Sequence, residues 1–168
     1  VPGDFNYTRD DDGAVYMYAE GDTSVKPRAK MSGGGYFFDA IDIGNTADYS
    51  NLNPADNNEE FTILTAEQIE FFAMQAKKYY NETDYGIYMT LPGMAFGDIA
   101  LVPAPWMKLP RGIRGVEEWY LATLAYPEYV RQVFEKQCEI ALKNIELLAK
   151  AVGDLVQVVF VSGTDFGT

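Results

Sequence analysis

Val152-Gly153-Asp154-Leu155-Val156-Gln157-Val158-Val159-Phe160-Val161-Ser162-Gly163-Thr164-Asp165-Phe166-Gly167-Thr168 is the stretch that decides the fold class. Gly153 and Asp154 open it as a turn. Leu155 to Val161 then form a β-branched run that only Gln157 interrupts, the pattern of a strand covered on both faces. A buried parallel strand is predicted here. It runs into small and polar residues with two glycines and a carboxylate, the composition found where parallel sheets hold their ligands.

Reading outward from that strand, Pro127 suits the first turn of a helix. Val130, Val133, Phe134, Cys138, Ala141, Ile145 and Leu148 then recur at helical spacing to about Ala151, while Arg131, Glu135, Lys136, Glu139, Lys143 and Glu146 form the wet face. Gly115 to Tyr126 reads as a shorter helix with Val116, Trp119, Tyr120 and Leu124 inward. Thr65-Ala66-Glu67-Gln68 has the form of a capping box, and Ile69, Phe72, Ala73, Ala76 and Tyr80 follow on one helical face. Tyr85 to Thr90 is placed as the strand after that helix. Helices alternating with buried strands imply a parallel α/β layer.

Between these elements, Met94 to Arg114 carries Pro103, Pro105, Pro110 and Trp106. It is expected to be an irregular loop, either a pocket wall or a lid that packs Trp106 and Met107 on the core. Residues 1–43 show strand and turn signals only: Asp10-Asp11-Asp12-Gly13 and Glu20-Gly21-Asp22 are turns, and Ala14 to Ala19 and Gly35 to Phe38 are β-prone. Asn45 to Glu60 reads as a surface loop. The chain therefore divides into a β-rich N-terminal meander and loop over 1–60 and an α/β segment over 61–168.

Two motif-like stretches dissolve on inspection. Asp10 to Glu20 opens like a calcium loop, but with Gly13 at the sixth position Thr8 and Ala19 stand at the first and twelfth, where carboxylates are required. Gly33-Gly34-Gly35 has no helix start after it to supply a phosphate cradle, so it is a turn. The glycosylation patterns at Asn6 and Asn81 arise often by chance.

Composition bounds the partners. The 168 residues are 48% hydrophobic, enough for one sizeable core, and the formal net charge of −12 repels nucleic acid and anionic membrane surfaces. A small-molecule partner fits better. One cysteine, Cys138, gives no disulfide framework, and no signal peptide or membrane span is evident, so a cytoplasmic location is expected. A chain that begins with Val, has no histidine and stops after a core strand is expected to be a piece of a longer protein.

Four segments carry a resemblance: Arg114-Gly115-Val116-Glu117-Glu118-Trp119, Tyr126-Pro127-Glu128-Tyr129, Ala151-Val152-Gly153-Asp154, and the apolar strand ending in Thr164-Asp165-Phe166-Gly167-Thr168. In order and spacing they resemble segments of the uroporphyrinogen decarboxylase superfamily, best in its less-characterised branch, which is similar to the cobalamin-dependent methyltransferases. The likeness covers roughly Asp84 to Thr168. It implies a (β/α)8 barrel of which this chain supplies an early and middle part, since such barrels take about 250 residues. The decarboxylase branch grips substrate carboxylates with an Arg-rich N-terminal motif that has no counterpart here. The methyltransferase branch holds zinc through a His-x-Cys pair and a later Cys, which this chain cannot build. Corrinoid and zinc are therefore expected only in the intact parent.

Asp165 is the leading catalytic candidate: at the end of a barrel strand its carboxylate accepts hydrogen bonds from a ligand or serves as general base, and otherwise it caps the next helix. Thr164 and Gly167 flank it as substrate-binding candidates, with Gly167 alternatively serving the turn. Arg111 and Arg114 either hold an anionic substrate group or pair with nearby carboxylates. The expected parent is a corrinoid-linked methyltransferase acting on a small molecule. The alternatives are a porphyrinogen decarboxylase and a non-catalytic assembly module, and self-association through uncovered strands is predicted.

Overall fold

The computed structural model describes residues 6–42, 47–91, 98–99 and 101–160. Asp165, Thr164 and Gly167 lie outside them. The fold is a mixture of helices and strands in two compact units, Val1–Glu59 with Gly97–Val133 and Glu60–Phe96 with Phe134–Thr168.

The first unit carries an antiparallel four-stranded sheet: β1 (Tyr7–Arg9), β2 (Val15–Met17), β3 (Ala29–Met31) and β4 (Asp39–Ala40), paired in sequence order. Tyr16 stands opposite Thr8 on one side and Lys30 on the other. The Asp10 carboxylate builds the β1–β2 turn by accepting the Asp12 and Ala14 N–H groups at 3.1 and 2.9 Å and the Tyr16 hydroxyl at 3.0 Å. The acidic turn is thus an Asx turn. The second β-prone run is displaced from its predicted place: Tyr36 and Phe37 are exposed in a bend, and pairing starts only at Asp39. Strand propensity there loses to the turn that Gly34 makes at φ 74°.

In the same unit Asn53 caps a short 3-10 turn, Pro54–Asn58, by accepting the Ala55 N–H at 3.0 Å. Asn57 and Asn58 are buried, so this part of the predicted surface loop is interior. Helix α2, Val116–Ala125, starts at Gly115, where an added Cβ would fall 1.8 Å from the Glu118 carboxylate. It buries Trp119 and Ala122, while Leu124, predicted inward, is 85% exposed.

The second unit holds helix α1 (Ala66–Glu82), strand β5 (Tyr88–Thr90), most of helix α3 (Pro127–Val152) and strand β6 (Val158–Phe160). The capping box forms in full, with Gln68 N–H on the Thr65 hydroxyl at 3.2 Å and Thr65 N–H on the Gln68 amide oxygen at 2.9 Å. At the other end the Thr83 hydroxyl donates to the Tyr79 carbonyl at 2.8 Å. The core gathers Leu91, Ala141 and Leu148, with Leu64, Ile69, Phe72 and Met89 packed on it. Helices α1 and α3 thereby cover one face of β5.

β5 and β6 pair in parallel, Tyr88 opposite Val158 and Thr90 opposite Phe160. The predicted parallel strand exists, but its predicted burial does not: Val158, Val159 and Phe160 are 54, 49 and 46% exposed. A strand is covered on both faces only where further layers lie against both, and among the described residues this sheet holds only β5 and β6. Gln157, the one polar break in the run, fastens the ribbon. Its amide oxygen accepts the Ile87 N–H at 2.6 Å and its amide nitrogen donates to the Leu155 carbonyl at 3.1 Å.

The predicted inward stripe of α3 is buried at Val130, Val133, Ala141 and Leu148, and it is wider on one side and narrower on the other than predicted. Gln137, Ile140 and Asn144 are buried, whereas Cys138 and Ile145 are exposed. Asn144 explains its own position: its oxygen accepts the Leu64 N–H at 2.9 Å and its nitrogen donates to the Thr62 carbonyl at 3.0 Å, serving backbone that no strand partners. No described helix is long and apolar enough to cross a membrane.

Candidate functional site

Of the residues singled out in the sequence, Arg111 and Arg114 are brought together, on the loop that leads into α2. Arg114 is buried, with 2% of its surface exposed. Its Nε donates to the Arg111 carbonyl at 2.6 Å, Nη2 to the Asp56 carbonyl at 2.7 Å and Nη1 to the Val102 carbonyl at 3.3 Å. A buried guanidinium is tolerated when its fork of donors is spent on acceptors, and here three carbonyls from two separate stretches take them. Arg114 ties the 3-10 turn to the loop.

Arg111 is more exposed and pairs with Glu59 at 3.0 Å and Asp56 at 3.2 Å. Its N–H also donates to Glu59 at 2.6 Å, and the same carboxylate lies 3.6 Å from Arg114. The contact with Asp56 is ionic without hydrogen-bond alignment, since that carboxylate oxygen is buried with no aligned donor. Two cations therefore face two carboxylates. An anion approaching Arg111 meets a guanidinium already partly neutralised by Asp56 and Glu59.

Beside this node lies a link that composition did not reveal. The Asn57 amide pairs with the backbone of Ile113 in both directions at 2.8 Å, and its oxygen also accepts the Tyr129 hydroxyl at 2.5 Å. Gly112 adopts φ 83°, and a Cβ there would fall 2.3 Å from the Asn57 oxygen, so this approach requires glycine. In the sequence Asn57 is one of several asparagines in a polar stretch. Only the Pro-Arg-Gly at 110–112 hinted at a fixed turn.

Tyr129 leads into an open groove of about 450 Å³ whose walls include Tyr49, Leu52, Pro54, Tyr126 and Gln132. The Tyr49 and Tyr126 rings stack with centroids 5.7 Å apart. Burial pushes the Tyr129 hydroxyl up to about 12, helped by the Asp56 charge. Glu128, on the rim, is held down to about 2 by its bonds to Arg131 and Gln132. The groove offers ring faces and hydrogen-bonding groups.

Among the described residues no group of three histidine, cysteine or acidic side chains is placed to hold a metal ion. Comparison with protein-family models, with curated proteins and with solved structures finds no match for this chain.

Proposed function

We propose that this chain is part of a uroporphyrinogen decarboxylase superfamily protein, of the branch similar to corrinoid-linked methyltransferases, and that its parent transfers a methyl group to or from a small molecule. The observation that supports this reading best is the β5–β6 pair. Two parallel strands, one of them packed on helices through Met89, with Tyr88, Val158 and Phe160 uncovered, fit two neighbouring staves of a (β/α)8 barrel whose remaining staves are not alongside. The ordered resemblance from Arg114 onward agrees with it. In this reading Thr164, Asp165 and Gly167 follow β6 at the end of the strand where barrel enzymes hold ligands.

The residues of this chain do not fit a zinc centre of the methyltransferase kind, since there is no histidine and the single cysteine sits exposed on α3. Zinc and corrinoid chemistry would rest on residues of the parent. The test is to express the uninterrupted reading frame and add cobalamin, zinc and a porphyrin separately. Binding of cobalamin and zinc is expected. Binding of the porphyrin alone would move the reading to the decarboxylase branch, and no binding of any would remove its chemistry.

The uncovered ribbon also favours a second reading, a non-catalytic assembly module that pairs its strands with another chain. A reading frame lacking a His-x-Cys pair and a later Cys would favour it.

A further inference from the structure

A second cavity, of about 210 Å³, lies in the first unit away from the arginine node, and its lining is charged: Glu20, Asp22, Lys26, Arg28, Asp42 and Lys108. Arg28 is its buried member, 8% exposed. The backbone around it is fixed, because its N–H donates to the Met17 carbonyl at 2.8 Å and its own carbonyl accepts Ile41 and Asp42 N–H groups at 2.9 and 3.2 Å. Its Nη1 donates to the Asp42 carbonyl at 3.3 Å and lies 3.6 Å from the Asp42 carboxylate, and its Nη2 donates to the Lys108 carbonyl. A guanidinium has five N–H donors. Among the described residues its Nε takes part in none of these bonds, so a largely buried guanidinium lines the cavity with a donor left over.

Glu20 is the second unusual feature. It sits at φ 51°, ψ 20°, in the left-handed region, with its N–H anchored on the Trp106 carbonyl at 2.7 Å. Glycine would hold that conformation without strain, yet a carboxylate stands there, on the cavity wall. The six charged groups sum to three positive and three negative. A simple anion would meet as much repulsion as attraction in such a lining, whereas a ligand that carries both signs satisfies both sets. The volume is below the roughly 300 Å³ where drug-sized sites begin, so the ligand has few heavy atoms.

We propose that this cavity binds a small zwitterion of the α-amino-acid class, with the carboxylate on Arg28 and the ammonium on the carboxylates of Glu20 and Asp22. The site is independent of the family reading above.

The test titrates the purified 168-residue chain with L-alanine, with propionate and with ethylamine, followed by calorimetry or NMR shifts. L-Alanine is expected to bind saturably, and the two half-molecules about tenfold more weakly or worse, the effect of losing one charge-assisted hydrogen bond. Arg28→Lys should abolish binding. Because Arg28 is buried and that variant risks misfolding, Glu20→Gly provides the second reading: glycine suits the backbone there, so an L-alanine affinity about tenfold lower in a folded variant reports the lost carboxylate. Propionate binding as tightly as L-alanine, an unchanged affinity in Glu20→Gly, or no saturable binding of L-alanine would each overturn the proposal.

Discussion

At the scale of single residues, the backbone at Glu20 sets stability against the cavity it lines. A non-glycine residue at φ 51° costs on the order of 1 kcal/mol, so Glu20→Gly should raise the thermal midpoint by roughly 2–4 °C in a chain of this length. Calorimetry checks it, and a lowered midpoint would mean that the Glu20 side chain holds the fold. Tyr129 gives a pH signature. Its hydroxyl is raised from 10 to about 12 in the folded chain, so the folded state keeps a proton that the unfolded state has lost between those values. That contribution is fully present below pH 10 and is lost as pH rises toward 12. In Tyr129→Phe the alkaline decline over that window should be shallower, and at neutral pH the variant should be less stable by about 1 kcal/mol for the lost bond to Asn57. Denaturant titrations at pH 7 and pH 11 measure both. Neither site was legible beforehand. A polar residue reads as surface until its backbone partner is known, and the partner of Asn57 lies 56 residues away.

At the scale of elements, what local chemistry fixes was legible, and what depends on distant partners was not. The start of α1 followed from Thr65 and Gln68, because a capping box closes within four residues. The length of α3 followed from Pro127 and Gly153 at its ends. Its inward face followed at Val130, Val133, Ala141 and Leu148 but not at its edges. Apolar residues alone point to Cys138 and Ile145, but the helix turns Gln137 and Asn144 inside, and Asn144 has to be there to serve Thr62 and Leu64. Asn144→Ala takes the partner from the part-buried Leu64 N–H and Thr62 carbonyl, at a cost of about 1–2 kcal/mol. Urea unfolding should show it as a lowered midpoint with unchanged slope. An effect below about 0.5 kcal/mol would show that water replaces the amide. Gln157 teaches the same lesson: it read as a flaw in an apolar strand, and it is the clasp that joins β6 to β5.

At the scale of the whole molecule, the order of helices and strands implied parallel pairing, and β5 and β6 do pair in parallel across the intervening helices. The covering of β6 was not legible, since it depends on neighbours and not on the strand itself. Arg111 and Arg114 were legible as a pair near a helix start. Pairing with carboxylates was one of the two readings, but which carboxylates, and the three carbonyls on Arg114, were not legible, because those groups converge from the 3-10 turn and from the loop itself. The central proposal is that the face bearing Tyr88, Val158 and Phe160 is the interior of a larger sheet. Its most direct test is thiol labelling of Val158→Cys in a Cys138→Ser background, once in this chain and once in the protein encoded by the uninterrupted reading frame. Rapid labelling in the 168-residue chain and labelling slowed at least tenfold in the longer protein is the predicted result. Equal, rapid labelling in both would contradict it.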